Sequence, residues 1–395
     1  MIFIKFSSTL SSLLFVIYIL LGPVPWLMLI ALSIGSRNRL RRLEVDRSQM
    51  NSPPPRLAFV VPARNEEGGI VDCITRLKNQ NYPGATIIVV NDRSTDSTGR
   101  LLDELKTSIA ALKVIHLEQL PEGWLGKNHA LHVGTRDLDV DWLMFVDSDV
   151  TLEPNAIQRL VAFSEERGYD AISLMPALDA RSMLERTLLP LLAVAWGVMF
   201  RIVMTNNDHR PDHAFANGQL FLIRKTCYEK VGGHECVKDQ IVEDVMLMRA
   251  LKSSGARCRL LLGQSFARCR MHTNLKQMFH GWARIFAGSS QRRVMPILIA
   301  LVFLIAQPVL LFGAISVIAS THGLDQINWL IVTGLHAMSA LIFTAWCYYG
   351  ARQRMLNVLW LPLTWPILIV IVANALRVCF TGRVDWRGNA VKVNR

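Results

Sequence analysis

Long apolar runs at both ends of the chain constrain its fold more than any other feature. Ser11 to Leu32, Val294 to Ile318, Trp329 to Tyr349 and Val358 to Leu376 contain no Asp, Glu, Lys or Arg. About twenty apolar residues suffice to cross a bilayer as a helix. In lipid every backbone polar group needs an internal partner, so such runs are expected to be helical. The first run, interrupted by Gly22-Pro23-Val24-Pro25, is too long for the apolar part of a cleaved signal peptide, and its positive charge follows rather than precedes it. The segmentation that follows is an N-terminal membrane anchor at 1–35, a basic, proline-rich linker at 36–56, a folded domain at 57–290, membrane segments at 291–380 and a basic tail at 381–395.

Charge orients these pieces. The formal net charge is +12, with Arg and Lys beside the apolar runs, which points to anionic lipid. No zinc-finger spacing or basic-aromatic signature points to nucleic acid. Arg37, Arg39, Arg41 and Arg42 put the end of the first run in the cytoplasm by the positive-inside rule. Arg292 with Arg293, and later Arg352 with Arg354, mark the same side, while Thr321 to Asn328 carries no Lys or Arg and is expected outside. A further crossing by Val358 to Leu376 would put the tail outside. Yet the tail carries Arg377, Arg383, Arg387, Lys392 and Arg395 against one acid, Asp385, and Pro362 and Pro366 are expected to break a straight span. The expectation is a segment that re-enters or lies at the interface. The seven cysteines include no C-x-x-C and are odd in number, which fits a reduced, cytoplasmic folded domain. His336, mid-span, reads as an interhelical contact or a functional group.

From Leu57 the pattern changes to alternating strands and helices. Leu57 to Val61, Ala85 to Val90 and Trp142 to Val146 read as buried strands and Lys113 to Leu117 as a short strand, with helices at Ile70 to Gln80 and Ser97 to Thr107. Such alternation implies an α/β fold with a mostly parallel sheet and ligands at the carboxyl ends of its strands. Three polar turns then meet at one edge, at Pro62, at Asn91 and at Asp147. A helix at Pro154 to Glu166 and a strand at Tyr169 to Met175 follow. Leu184 to Met204, with Pro190, is expected as an interfacial helix on the bilayer. Arg257 to Arg270 reads as a strand pair, and Gln277 to Phe286 as a helix.

The chemistry lies in the turns. Asp147-Ser148-Asp149 ends a buried strand with two carboxylates. Mg²⁺ and Mn²⁺ prefer carboxylate oxygen, and Mg²⁺ typically takes one or two carboxylates plus substrate phosphates. Alone, the same letters would also suit a solvated turn. Lys127, at a helix start after Gly126, can reach a phosphate as a point charge. His129 and His132 have no third ligand at a supporting spacing and read as structural. Asn217-Gly218-Gln219 is a small polar turn entering a strand, and Glu243 and Asp244 lie in the first turn of an amphipathic helix, where acids suit the helix dipole.

Together, Pro62-Ala63-Arg64-Asn65-Glu66-Glu67, Asp92, Asp147-Ser148-Asp149 and Glu243-Asp244 resemble the motif set of the membrane-bound family 2 glycosyltransferases, over roughly Leu57 to Gly288. The resemblance implies a GT-A fold, Rossmann-like, and flanking transmembrane helices. It implies nucleotide-sugar binding by Pro62, Arg64, Glu66, Asp92, Lys127 and Asp147, Mg²⁺ or Mn²⁺ on Asp149 and Asp147, and Asp244 as general base. Asn217, Gly218, Gln219, Glu243, Gln277 and Trp282 fall on the acceptor side. Within the family the chain looks most like members that glycosylate lipids: ceramide, carotenoid acids and hopanoid-associated substrates. The family's Q-x-x-R-W motif is altered here: Gln277 to Trp282 is one residue longer, with Arg284 after the tryptophan. Processive synthases use that motif to hold a growing chain, so the change implies single-sugar addition. The expected activity is inverting transfer from a UDP- or GDP-sugar to a lipid at the cytoplasmic face of the inner membrane, by a multi-pass protein. The alternative is a non-catalytic or polysaccharide-assembly membrane subunit that keeps the fold.

Overall fold

A computed structural model of the chain describes residues 8–36, 53–271, 274–290, 293–386 and 389–392. Arg37 to Arg42, Arg292, Arg387 and Arg395, on which part of the orientation reading rests, lie outside the described residues. The chain divides into two compact units, one gathering the segments 1–38, 180–200 and 274–395, the other 39–179 and 201–273.

The second unit is a doubly wound α/β sheet. Its strands are β1 Leu57–Ala63, β2 Thr86–Asp92, β3 Leu112–Leu117, β4 Trp142–Val146, β5 Val150–Leu152, β6 Ala171–Met175, β7 Ala177–Leu178, β8 Leu220–Arg224, β9 Cys258–Leu262 and β10 Ala267–Cys269. The main sheet runs β3-β2-β1-β4-β8-β6-β9, and β5-β10-β7 form a small second sheet. β3, β2, β1 and β4 are parallel, while β8 runs antiparallel between β4 and β6. The strands read as unbroken apolar runs because both faces are covered. In β1, Leu57, Phe59, Val61 and Ala63 enter the core on one face and Ala58 and Val60 that on the other. In β4, Trp142, Met144 and Val146 alternate in the same way with Leu143 and Phe145. This strict alternation pins the register, since a slip of one residue would exchange the faces. Burying each such side chain contributes about 1.5–3 kcal/mol.

One sequence expectation fails here. Arg257 to Arg270 is not a strand pair: β9 pairs with β6 in the main sheet and β10 with β5 and β7 in the small one. Gly263 to Phe266 form the turn between them, with Phe266 N and Ala267 N both bonding the Gly263 carbonyl. The strands therefore diverge instead of folding back on each other.

The first unit is helical. Ser11–Gly35, Val294–Ser320, Gly323–Gly350 and Met355–Thr381 are each long and apolar enough to cross a membrane, which makes this a membrane-associated protein. Helix Met183–Met199 belongs to the same unit. It is capped by reciprocal bonds between Ser182 and Glu185, and the Tyr348 hydroxyl donates to its Thr187 carbonyl at 2.9 Å. The helix stops before the left-handed Arg201, and a short 3₁₀ turn, Ile202–Met204, follows it. The expected break at Pro362 and Pro366 is absent: Leu361–Thr381 is one helix. Pro362 lies in its first turn, where an N–H has no intrahelical acceptor in any case. The carbonyl freed by Pro366 belongs to residue 362, at the same end, so the ladder beyond is intact.

Candidate functional site

The site is built on the carboxyl ends of β1, β2 and β4. Behind β1 and β2 two polar loops are sewn together by uncharged bonds and two carboxylates. Asn65 N–H donates to Ser94 Oγ at 3.0 Å, and Thr95 N–H donates back to Asn65 Oδ1 at 2.8 Å. Glu66 N–H donates to Thr98 Oγ1 at 2.8 Å, Glu67 N–H to Asp96 Oδ2 at 3.1 Å, and Ser97 N–H to Glu67 Oε2 at 3.0 Å. Asp96 is held below its ordinary value by the Thr98 and Glu67 donors, which outweigh its burial. These reciprocal bonds fix Arg64 and Asp92 as neighbours. Asp92 is buried, with Arg93 Nε at 2.7 Å from Oδ1 and Arg64 Nη1 at 3.7 Å from Oδ2. Gly126 faces it so closely that a Cβ there would collide with Asp92 Oδ2.

The second part of the site is a cluster of charge. β4 ends at Val146, and the chain turns over Ser148 and Asp149 into β5. Helix Gly126–Gly134 brings Lys127 to it, and helix Glu243–Ser253 brings Glu243 and Asp244. Lys127 Nζ lies 3.0 Å from Asp147 Oδ1 and 2.9 Å from Glu243 Oε1. Burial works against its charge, but Asp147, Glu243 and Asp244 outweigh that and hold the ammonium above its ordinary range. Asp244 accepts from Gly218 N–H at 2.6 Å on one oxygen and from Val245 N–H at 2.8 Å on the other. Burial and then the Glu243 charge still push it up to about 7. Gly218 is small for a reason: a Cβ there would lie 3.1 Å from Asp244 Oδ2 and 3.3 Å from Lys127 Nζ.

Asp149 differs from its neighbours. Its Oδ1 is buried and has no hydrogen-bond partner in the structure. Burial first, then Asp147, raises it to about 6, and the Cys269 thiol partly offsets this. An unpaired buried carboxylate oxygen costs at least about 1–3 kcal/mol unless something else satisfies it. No group of three His, Cys, Asp or Glu among the described residues forms a complete metal cage. The donor set fits Mg²⁺ or Mn²⁺ held by one or two carboxylates and completed by water and phosphate. Asp149, with Asp147 two residues away, would hold it.

The structure thus brings together Arg64 with Asp92, and Lys127 with Asp147, Gly218, Glu243 and Asp244. Asn217 and Gln219 flank Gly218, bonded to each other. Pro62 lies in β1 opposite Val90. Gln277 and Trp282 belong to helix Leu275–Ser289 of the helical unit, where Asn274 caps Gln277 N–H at 2.9 Å and Trp282 is buried against Phe286. His129 and His132 pack on the Trp124 ring at centroid distances of 5.3 and 4.8 Å. Sequence reasoning missed Cys269, Arg93 and the bonding set of Ser94, Asp96 and Thr98. The polar run from Asn91 to Thr98 was a signal for the last; a single cysteine in a strand gave none.

Residues 58–232 match the model of the family described as Glycosyl transferase family 2. This central stretch therefore matches a family 2 glycosyl transferase domain and has a GT-A fold, which supports sugar transfer. The chain is 28% identical to the 4,4'-diaponeurosporenoate glycosyltransferase of Staphylococcus aureus (strain USA300), over 67% of this chain and 70% of that protein. Among solved structures, a mannosyltransferase from Pyrobaculum calidifontis, in complex with GDP-Man and Mn2+, superposes with a TM-score of 0.54 at 16% identity, covering 93% of this chain and 99% of the other.

Proposed function

We propose that this protein transfers one sugar, with inversion, from a nucleotide-diphosphate sugar to a lipid acceptor at the cytoplasmic face of the cell membrane, using Mg²⁺ or Mn²⁺. The observation that carries this reading is the meeting of Lys127, Asp147, Glu243 and Asp244 next to the unpaired Asp149 oxygen. The similar carotenoid-acid glycosyltransferase and the four apolar helices support a lipid acceptor. The similar mannosyltransferase, with its nucleotide sugar and Mn²⁺, supports the donor class and the cation.

Arg64, Glu66 and Asp92 position the nucleotide, at the two interlocked loops, so that its diphosphate points to Asp149. A divalent cation on Asp149 and Asp147 would offset the charge growing on the departing diphosphate. Lys127 adds a fixed positive charge that needs no reorganisation during the reaction. Asp244 takes the proton of an acceptor hydroxyl as the new bond to the sugar C1 forms and the C1–phosphate oxygen bond breaks. Its raised value suits that task, because a base works best near the operating pH. A carboxylate acceptor would need no such base and would already be ionised. The same domain kept as a non-catalytic membrane subunit has no use for an unpaired buried carboxylate.

The test is a screen of UDP- and GDP-sugars with total lipid extract and mass detection of product. A glycolipid formed with Mg²⁺ or Mn²⁺ and absent with chelator is the expected result. Full activity in excess chelator would overturn the metal assignment, and no product from any donor would overturn the lipid reading.

A further inference from the structure

The carboxylate with the unpaired oxygen has one close polar neighbour whose own surroundings are fully determined. Cys269 ends β10, which pairs antiparallel with β5 so that Cys269 faces Val150, the residue after Asp149. Arg270 N–H donates to the Asp149 carbonyl at 3.2 Å, locking the two backbones together. The thiol is buried, and Gln219 Nε2 donates to its sulfur at 2.7 Å. A thiol has one proton to give. With the sulfur already accepting, that proton is directed elsewhere, and Asp149 is the carboxylate beside it.

The orientation of Gln219 is not free either. Asn217 Nδ2 donates to Gln219 Oε1 at 3.1 Å, and Gln219 N–H donates to Asn217 Oδ1 at 3.1 Å. These two bonds decide which end of each amide is oxygen. Asn217 is in turn anchored at Ser173, by its own N–H to Ser173 Oγ at 2.7 Å and by the hydroxyl back to its carbonyl at 3.1 Å. The side-chain amide donors run from Asn217 to Gln219 to Cys269, while the Gln219 backbone N–H donates back to Asn217.

We infer that Gln219 and Cys269 are positioning residues for the metal carboxylate: they hold one oxygen of Asp149 so that the other, unpaired Oδ1 faces the cation. The inference rests on the metal reading of Asp149. The same tripeptide serves the other acid as well. Gly218 N–H binds Asp244, and Asp147 N–H donates to the Gln219 carbonyl at 3.1 Å. Asn217-Gly218-Gln219 is therefore a single strut that sets the metal carboxylate and the base at a fixed spacing.

The experiment measures Mn²⁺ binding to the purified full chain by the EPR signal of free Mn²⁺, with a nucleoside diphosphate present, alongside the Mn²⁺ concentration that half-saturates transfer. Asp149→Ala comes first. If it binds Mn²⁺ like the wild type, the metal reading fails and this inference with it. If binding is lost, Cys269→Ala should weaken Mn²⁺ about tenfold, the low end of what partners of metal ligands contribute. Cys269→Ser, which keeps a donor, should restore it to within about threefold. Gln219→Leu removes the bond to sulfur from the other side and serves if Cys269→Ala does not fold. Wild-type Mn²⁺ binding in Cys269→Ala, or in Gln219→Leu, would overturn the positioning role while leaving the metal reading standing. Equal loss in the Ala and Ser variants would assign Cys269 to packing and overturn it too.

Discussion

Each unit of this molecule buries a polar cluster, and the cluster around Gln307 and the cluster around Asp149 differ in how their bonds are met. In the helical unit a neutral network is closed. Gln307 Oε1 accepts from Trp26 Nε1 at 2.7 Å and from His336 Nε2 at 2.9 Å, and Tyr18 OH bonds His336 Nδ1 at 3.0 Å. Gln307 Nε2 donates to the Leu21 carbonyl at 3.1 Å. That carbonyl lies four residues before Pro25, which has no N–H to offer it. In the sheet unit the carboxylates are crowded, raised and, at Asp149 Oδ1, left open. Single buried atoms without a partner also occur at His129 Nδ1, Trp282 Nε1 and Thr333 Oγ1, so an open bond alone does not mark a site. What sets Asp149 apart is that its open atom belongs to a carboxylate crowded by Asp147 and raised by burial, whereas His336 has both ring nitrogens bonded and reads as an interhelical contact.

The comparison breaks if the open acid is dispensable. Asp149→Ala should lose sugar transfer by at least about 10²-fold, as loss of a charge-stabilising group does. It should not lower thermal stability much in the absence of metal, because it removes a buried carboxylate whose Oδ1 has no partner. Measured transfer near the wild-type rate, or a large loss of stability, would show that the open oxygen is not a metal position.

Asp244→Asn should lose about 10²–10⁴-fold in turnover on a hydroxyl acceptor. The substitution is not silent for the fold. Both Asp244 oxygens accept backbone N–H groups, so the new amide must turn its NH₂ toward one of them, at a cost of about 1–3 kcal/mol. Nucleotide binding and thermal melting measured together separate the two effects. Near-normal turnover refutes the base.

A smaller effect concerns pH. Asp244 stands near 7 and must be ionised to act, so the rate should rise with pH up to about 7 and then level. The sign for stability is the reverse. The unfolded chain loses this proton near the ordinary 3.8, so between there and about 7 the folded state binds more protons, and the group's contribution falls as pH rises. Glu243→Gln removes a like charge and releases Lys127, and both changes favour the ionised form. The limb of the pH–rate profile should move to lower pH; a limb that stays or rises contradicts this assignment.

How much of this was legible depends on what a residue type can say by itself. The strands of the sheet were legible because two buried faces leave unbroken apolar runs, and the carboxylates because Asp-Ser-Asp follows such a run at once. The direction of β8 was not, since a strand buried on both faces reads the same either way. Nor was the parting of β9 from β10, which depends on partners distant in sequence. Proline misled at 362 and 366, where position within the helix mattered more than residue type. Cys269 was invisible: a lone cysteine in an apolar strand has the letters of packing, and only its neighbours Gln219 and Val150 give it a role.

The smallest expected effect tests the closed side of the comparison. Gln307→Leu keeps volume and apolarity in the span but removes three hydrogen bonds, leaving Trp26 Nε1, His336 Nε2 and the Leu21 carbonyl without that partner. Interhelical hydrogen bonds in membranes are worth about 0.6 kcal/mol on average, because the separated helices also find partners. Three together, with one serving a proline-freed carbonyl, should lower stability by about 1–3 kcal/mol. If the network is only a joint between helices, sugar transfer at a temperature where the variant is folded should stay within about twofold of wild type. His336→Ala should do no more. A stability loss in the expected range with transfer preserved keeps the two kinds of burial distinct. A variant that melts normally yet loses transfer would mean that the closed network also acts in the reaction, and that complete hydrogen bonding is no guide to which buried groups of this protein are structural.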